Sequence, residues 1–312
     1  MLAQTLDSCH SKLLDGNVRE GMEELIGSLH RLRSSLPATD WKEKLTICRQ
    51  HPILADLHLD PLTQRSFHKP RGYAGDAVML DMIYGIEREQ VPAPTTELGK
   101  AIFKYTAGLG RSPMAVRYRR SLIATNVDEL SNSKQHKKPR VLSIASGHLR
   151  EAELTQAVHS SNLHEWVAVD SDEESLRECS RSYGGSCIQP IKGSVRQILA
   201  GKFDLGHFDF IYAAGLFDYL SNSISQALVS KIFEMLKPGG KLMVANFAAG
   251  FPDAGYMEAF MDWWLIYRSE QDMEEMFKVL KGDDVTDKRV FTDPLNAIVY
   301  ATAQKRLSWP GS

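Results

Sequence analysis

The chain is 312 residues long, carries 37 Lys and Arg against 39 Asp and Glu for a formal net charge of -2, and is 43% hydrophobic. That composition excludes disordered, collagen-like and coiled-coil chains, and the near-neutral balance gives no electrostatic footprint for a dedicated nucleic-acid or anionic-membrane binder. The length allows about two domains at roughly 100–200 residues each.

The first 131 residues read as helical. Met22, Leu25, Ile26, Leu29, Leu32 and Leu36 recur at helical spacing and share one face. Pro37 ends that helix, and Asp40 with Glu43 has the form of a capping box for the next. Further helices are predicted from Asp76, as N-cap, to about Tyr84, over Thr95–Tyr105, and over Pro113–Leu130. The last carries Arg117, Arg119 and Arg120, read as a solvated face. Residues 132–139 are polar, basic and closed by Pro139, as in a linker.

From residue 140 to 312 the pattern changes. Short apolar runs at 141–146, 165–170, 186–193, 208–215 and 241–247 alternate with helical stretches. This spacing predicts βαβ units and an α/β fold with a parallel sheet. Two final runs, KRVFTD and NAIVYATAQK, are joined by a connection too short for a parallel crossover, so they should pair antiparallel.

In such a sheet, ligands bind beyond the carboxyl ends of the strands. The first strand is followed by Ala145-Ser146-Gly147-His148-Leu149-Arg150-Glu151, whose small residues allow close backbone approach to a ligand. The second ends at Asp170, 23 residues after Gly147, near the spacing at which a carboxylate grips a ribose diol. Asp170 can instead cap the next helix. If Asp172 is the cap, Asp170 is left for the ribose.

The segments VLSIASGHLRE, VAVDSDEESL, FDFIYAAGLFDYL and LKPGGKLMVANF stand in the order of the class I S-adenosylmethionine-dependent methyltransferases, and the region from Arg140 onward resembles that family. The resemblance implies a Rossmann-like methyltransferase sheet, parallel with a terminal antiparallel hairpin, behind an α-helical N-terminal domain. It makes Leu236 to Lys241 a turn between a helix and the fifth strand. It implies S-adenosylmethionine as cofactor and S-adenosylhomocysteine as product. Ser146 and Gly147 would lie beside the methionyl part, Asp170 would bind the ribose, Ser194 and Val195 would border the adenine, and Ala214 and Gly215 the sulfonium; Ala145, His148, Glu151 and Ser171 are further cofactor-binding candidates, His148 being able to touch cofactor or acceptor, or to be a polar loop residue. The family usually has an acid where this chain has Ser143 and a glycine where it has Ala145. Glu151 or Glu153 can supply the missing acid. The stretch His68 to Asp76, with Leu80 to Gly85, is similar to bacterial proteins that make 3-hydroxypalmitic acid methyl ester, a signalling molecule.

Three segments compete for the acceptor side. Arg71 and Tyr73 lie in a glycine-flanked loop; Arg71 can bind a carboxylate, or pair structurally with Asp76. Asp218 and Tyr219 follow the fourth strand and can orient the nucleophile, or cap and pack. Asn246 and Phe247 lead into an aromatic, Met-rich insertion over about 248–282, with Trp263, Tyr267 and Arg268, which forms either a substrate lid or ordinary core.

The histidines lack ligand spacing, and no metal is expected. Cys9, Cys48, Cys179 and Cys187 form no CxxC pair, the N-terminus has no signal-peptide pattern, and no window approaches the ~18 apolar residues of a span. A cytoplasmic protein with reduced thiols is expected. The function implied is methyl transfer to a small, apolar acid or hydroxylated metabolite, fatty-acid methyl ester formation being its narrowest form. The alternatives are methylation of protein or RNA, and a non-catalytic S-adenosylmethionine-binding regulator. No nucleic-acid partner and no membrane span are expected; monomer and homodimer both stay open.

Overall fold

The computed structural model describes residues 2–88, 91–133 and 138–307. Residues 134–137 of the expected linker lie outside the described residues. The chain divides into two compact units, Met1–Arg117 with Gly250–Trp264, and Tyr118–Ala249 with Leu265–Ser312. The division therefore falls inside a helix rather than in the polar stretch after residue 131, and it assigns part of the aromatic insertion to the helical unit.

The helical unit begins with α1 (Leu2–Leu14), α2 (Val18–Ser35) and α3 (Ala38–Gln50). The apolar face read for α2 is the buried one at Met22, Leu25 and Leu29. Pro37 occupies the N-cap of α3, and Asp40 makes no cap there. It sits in the first turn, where a negative charge still favours the helix dipole. Next come α4 (Ile53–Leu57), α5 (Pro61–His68) and α6 (Ala77–Tyr84). Asp60 caps α5 by accepting from Leu62 N and Thr63 N at 3.0 and 3.1 Å. Asp76 caps α6 through Met79 N at 3.0 Å, and its ion partner is Arg65 at 2.8 Å. Thr96 caps α7 (Glu97–Phe103), which runs into a π-helical turn over Lys104–Leu109. The long α8 (Arg111–Asn132) carries the division between the units.

The sheet unit holds β1 (Arg140–Ile144), α9 (Gln156–His159), β2 (Glu165–Asp170), α10 (Glu173–Tyr183), β3 (Ile188–Lys192), α11 (Val195–Leu199), β4 (Phe208–Ala213), α12 (Asn222–Glu234) and β5 (Leu236–Phe247). α13 (Ala254–Phe260) follows and belongs to the helical unit; α14 (Glu270–Phe277), β6 (Val285–Thr292) and β7 (Ile298–Lys305) complete the sheet unit. Strand order is β3-β2-β1-β4-β5-β7-β6. The first five strands pair parallel, and β7 runs antiparallel to both β5 and β6. The order reverses between β1 and β4, the place at which ligands bind in such sheets. The expected turn over Leu236–Lys241 is a bulged strand start: Leu236 already pairs with Phe208, Gly239 takes φ +78, and the ladder resumes at Lys241 opposite Phe210.

Every residue of α13 is buried. A Cβ on Gly255 would stand 3.0 Å from the Leu29 backbone, so glycine there sets how closely α13 packs on α2. Glu258 accepts from Arg33 at 2.8 Å and from Trp41 Nε1 at 2.6 Å. This part of the insertion is core. The later part also packs inward, since Met273, Met276 and Phe277 of α14 join the apolar cluster of the sheet.

Glu258 is 2% exposed, so Glu258→Ala leaves Trp41 Nε1 and a partly buried guanidinium without their acceptor. A loss of about 3 kcal/mol in urea unfolding is expected; a loss under about 1 kcal/mol would reject this ion pair as the tie between α13 and α2.

Candidate active site

The loop after β1 is built in the left-handed region. Ala145, Gly147 and Leu149 take φ of 54, 55 and 52. Two of the three have side chains, at about 1–2 kcal/mol each, and such strain persists only where neighbours over-determine it. Here Ser146 N donates to Val169 O at 3.1 Å, and Gly147 N donates to Asp170 Oδ2 at 2.7 Å. The Ser146 hydroxyl is buried and finds no hydrogen-bond partner among the described residues. His148 and Glu151 are buried behind the loop.

Asp170 ends β2 and is 8% exposed. Its Oδ1 accepts from Asp172 N at 2.8 Å. Burial raises its carboxyl above the usual range, and the two backbone N–H bonds work against that rise. Asp172, not Asp170, caps α10 by accepting from Glu174 N at 3.0 Å. Each Asp170 oxygen thus accepts one of these backbone bonds, and a carboxylate oxygen can take a second. Ser171 is exposed beside it. Ser194 caps α11 in a capping box with Gln197, and Val195 is half-buried.

At the end of β4, Ala214 is half-buried and Gly215 exposed. Arg119 Nη1 donates to Ala214 O at 2.6 Å. The basic run of α8 is therefore not a solvated face. Arg119 is 5% exposed. Arg120 donates to Arg150 O at 2.7 Å and to Glu153 at 2.8 Å, while Arg117 caps carbonyls of Ile83, Ala107 and Gly108 in the helical unit. Arg119 was hidden to sequence reasoning: one arginine of a helical run carries no mark of the strand end that it meets.

Two buried acids flank β4. Glu151 accepts from the Tyr212 hydroxyl, and burial raises its carboxyl. Asp218 lies in the single 3-10 turn Phe217–Tyr219, accepts from Phe247 N at 2.7 Å and is pushed up to about 6 by burial, with Arg119 and Arg268 pulling it back. Tyr219 is exposed. Arg268, considered from sequence as an anchor for an acidic acceptor, is 2% exposed and donates to Phe217 O, Asn246 Oδ1 and Leu220 O at 2.6–2.7 Å. Asn246 in turn donates to Ile266 O at 2.8 Å. These groups fix the ends of β4 and β5. Tyr267 is half-buried next to them and Phe247 is buried.

The sheet unit thus brings together the cofactor-loop residues, Asp170, Ala214, Gly215, Asp218, Tyr219 and Asn246. Arg71, half-buried, Tyr73, 40% exposed, and the buried Trp263 belong to the helical unit.

Residues 141–240 match the family described as "Methyltransferase domain". The sheet unit has the fold of the class I methyltransferases. A search of curated proteins finds no match. Among solved structures, a possible exported protein from Bordetella parapertussis is 16% identical, with a TM-score of 0.60 over 95% of this chain and 97% of its own. A Thermobifida fusca protein provisionally described as a methyltransferase is 16% identical, with a TM-score of 0.50 over 74% of this chain and 94% of its own. At these identities the likeness is one of fold. The methyltransferase domain implies S-adenosylmethionine, and the residues present fit it: an orphaned hydroxyl at Ser146, a loop held in the left-handed region, and a buried carboxylate at Asp170. Among the described residues no three His, Cys, Asp or Glu side chains could hold a metal, and no helix is long and apolar enough to cross a membrane.

Two measurements bear on this edge. Ala145→Gly removes left-handed strain while loosening the unfolded chain, so it should be neutral or stabilising by up to about 1 kcal/mol. A cost of about 1 kcal/mol in thermal unfolding, as for Ala→Gly in a helix, would contradict the φ of this position. The raised Asp218 carboxyl makes its ionisation unfavourable to folding. That cost is absent below about pH 4, where the group is protonated in both states. It grows as pH rises towards 6 and is full above it, at about 3 kcal/mol for a rise from 3.8 to about 6. Asp218→Asn cannot ionise, so its stability relative to wild type should rise by about that amount between pH 4 and 7 in urea titrations. An unchanged difference would refute the burial argument.

Proposed function

We propose that the chain is an S-adenosylmethionine-dependent methyltransferase acting on a small molecule, an apolar acid or hydroxylated metabolite. The observation that carries this reading is the Asp170 carboxylate, bound to Gly147 N at 2.7 Å with acceptor positions left over, beside the unpaired Ser146 hydroxyl.

When bound, the cofactor supplies a methyl group already activated on a sulfonium. The chain's task is then to hold, align and keep water out. Asp170 would take the ribose hydroxyls, Ser146 and the loop backbone the methionyl group, Ser194 and Val195 the adenine. Ala214 and Gly215 leave room at the end of β4. A carboxylate acceptor needs no base. For a hydroxyl acceptor, Asp218, its carboxyl pushed up to about 6 by burial, would receive the proton, and the exposed Tyr219 would orient the acceptor. A small acceptor is favoured over nucleic acid by the net charge of -2 and by the basic run of α8, whose arginines are committed to backbone carbonyls.

Calorimetric titration with S-adenosylmethionine should show binding, and Asp170→Ala should weaken it about ten- to a hundredfold, the worth of one to two charged hydrogen bonds. No heat at millimolar cofactor would sink the reading. Mass spectrometry of a metabolite extract treated with labelled cofactor should then reveal a methylated small molecule.

A further inference from the structure

Two arginines are buried at the carboxyl edge of the sheet, and their donors are used differently. Arg268 spreads its terminal nitrogens over five acceptors: Phe217 O, Asn246 Oδ1, Leu220 O, Asn222 Oδ1 and Ser225 Oγ. Arg119, 5% exposed, makes a single hydrogen bond among the described residues, from Nη1 to Ala214 O at 2.6 Å. A guanidinium carries five N–H donors and no acceptor, so most of its capacity is unused there. Among the same residues no carboxylate stands within ion-pair distance of Arg119. The buried Glu151 and Asp218 feel its charge from further off: burial raises both carboxyls, and Arg119 pulls each part of the way back.

Gly215 leaves the terminal nitrogens of Arg119 uncovered. A Cβ on Gly215 would lie 3.9 Å from Nη1 and 3.9 Å from Nη2, and apart from the chain neighbours nothing else among the described residues comes within 4 Å of that point. Gly215 is itself exposed. The space beside this residue is therefore bounded by the two ends of one guanidinium fork, at equal distance. The bond to Ala214 O holds the fork in position without filling that space. Two terminal nitrogens presented together match the two oxygens of one carboxylate, and such bidentate pairs are stronger than neutral hydrogen bonds. A buried cation without a counter-charge in contact is costly, and an anion offsets that cost.

We propose that Arg119 and Gly215 form a carboxylate subsite at the end of β4, with Nη1 and Nη2 each donating to one oxygen and Gly215 giving the room. The inference rests on the S-adenosylmethionine reading above, which brings two carboxylates to this edge: the methionyl group of the cofactor and that of an acid acceptor. A hydroxylated acceptor without an acid group brings none of its own.

The test is calorimetry on the full chain with ligands that differ only in the carboxylate. S-adenosylmethionine is compared with its decarboxylated form, and octanoate with octanol on the chain treated with S-adenosylhomocysteine. Arg119→Gln keeps an N–H donor for Ala214 O but neither the charge nor the fork. It should weaken a carboxylate ligand about tenfold or more, while the counterpart without the carboxylate changes less than about twofold. The ligand that is lost names the source: S-adenosylmethionine for the methionyl carboxylate, octanoate for the acceptor. Should that variant fail to fold, Gly215→Ala meets only ordinary contacts and sets a methyl beside the fork, so it should give the same selective loss, roughly threefold or more. Equal losses with and without the carboxylate, or unchanged affinities in the variant that folds, would overturn this inference and leave the cofactor reading standing. No binding of S-adenosylmethionine to the wild-type chain at millimolar concentration would overturn both.

Discussion

The carboxyl edge of the sheet depends on Asp170. One of its oxygens takes Gly147 N–H and the other Asp172 N–H, so one side chain ties the loop after β1 to the entry of α10. Three left-handed residues in five would not hold that loop shape alone. The bond from Ser146 N to Val169 O fixes the same loop from the backbone side. Because Asp172 takes over the capping of α10, Asp170 is not consumed by its helix. The result is a carboxylate held in place by backbone donors.

Much of the sheet was legible in the sequence because strand, turn and connection length are local properties. The apolar runs after residue 140 coincide with β1 to β7, and the four-residue join at Asp293–Asn296 already required the antiparallel end that β6 and β7 form. The cap at Asp76 was readable for the same reason. What was not readable depends on partners distant in sequence. Arg119 looks like any surface arginine of a helix until the end of β4 is placed beside it. Asp40 has a good capping pattern, but Pro37 starts α3 three residues earlier. In the aromatic insertion, composition alone leaves lid and core equally open; Gly255 against Leu29 and Glu258 under Arg33 and Trp41 make α13 core.

Buried charge in the sheet unit is arranged around the same edge. Arg268 gathers Phe217 O, Leu220 O and Asn246 Oδ1, while Asp218 takes Phe247 N. An arginine and an aspartate buried this deeply are unfavourable singly. Their fields stabilise each other, as the lowering of the Asp218 carboxyl by Arg268 shows, and their hydrogen bonds close carbonyls and N–H groups that the ends of β4 and β5 leave open. The aromatic segment leading into α14 is thereby fastened to the sheet through Arg268, and the 3-10 turn Phe217–Tyr219 is held from both its carbonyl and its carboxylate sides.

The departure at Ser143 has a physical counterpart at Glu151. Ser143 stands opposite Tyr212 in the β1–β4 ladder, and the Tyr212 hydroxyl reaches the Glu151 carboxylate. Burial and that carboxylate together hold the Tyr212 proton well above its ordinary range, so the hydroxyl acts as a donor to Glu151. An acid at position 143 would set a second carboxylate against the same hydroxyl, and two like charges in a desolvated space raise each other's cost. Serine at 143 therefore leaves the Tyr212 hydroxyl to a single carboxylate, that of Glu151. Burial raises the Glu151 carboxyl, and the Tyr212 hydroxyl with the charges of Arg119 and Arg120 works against that rise.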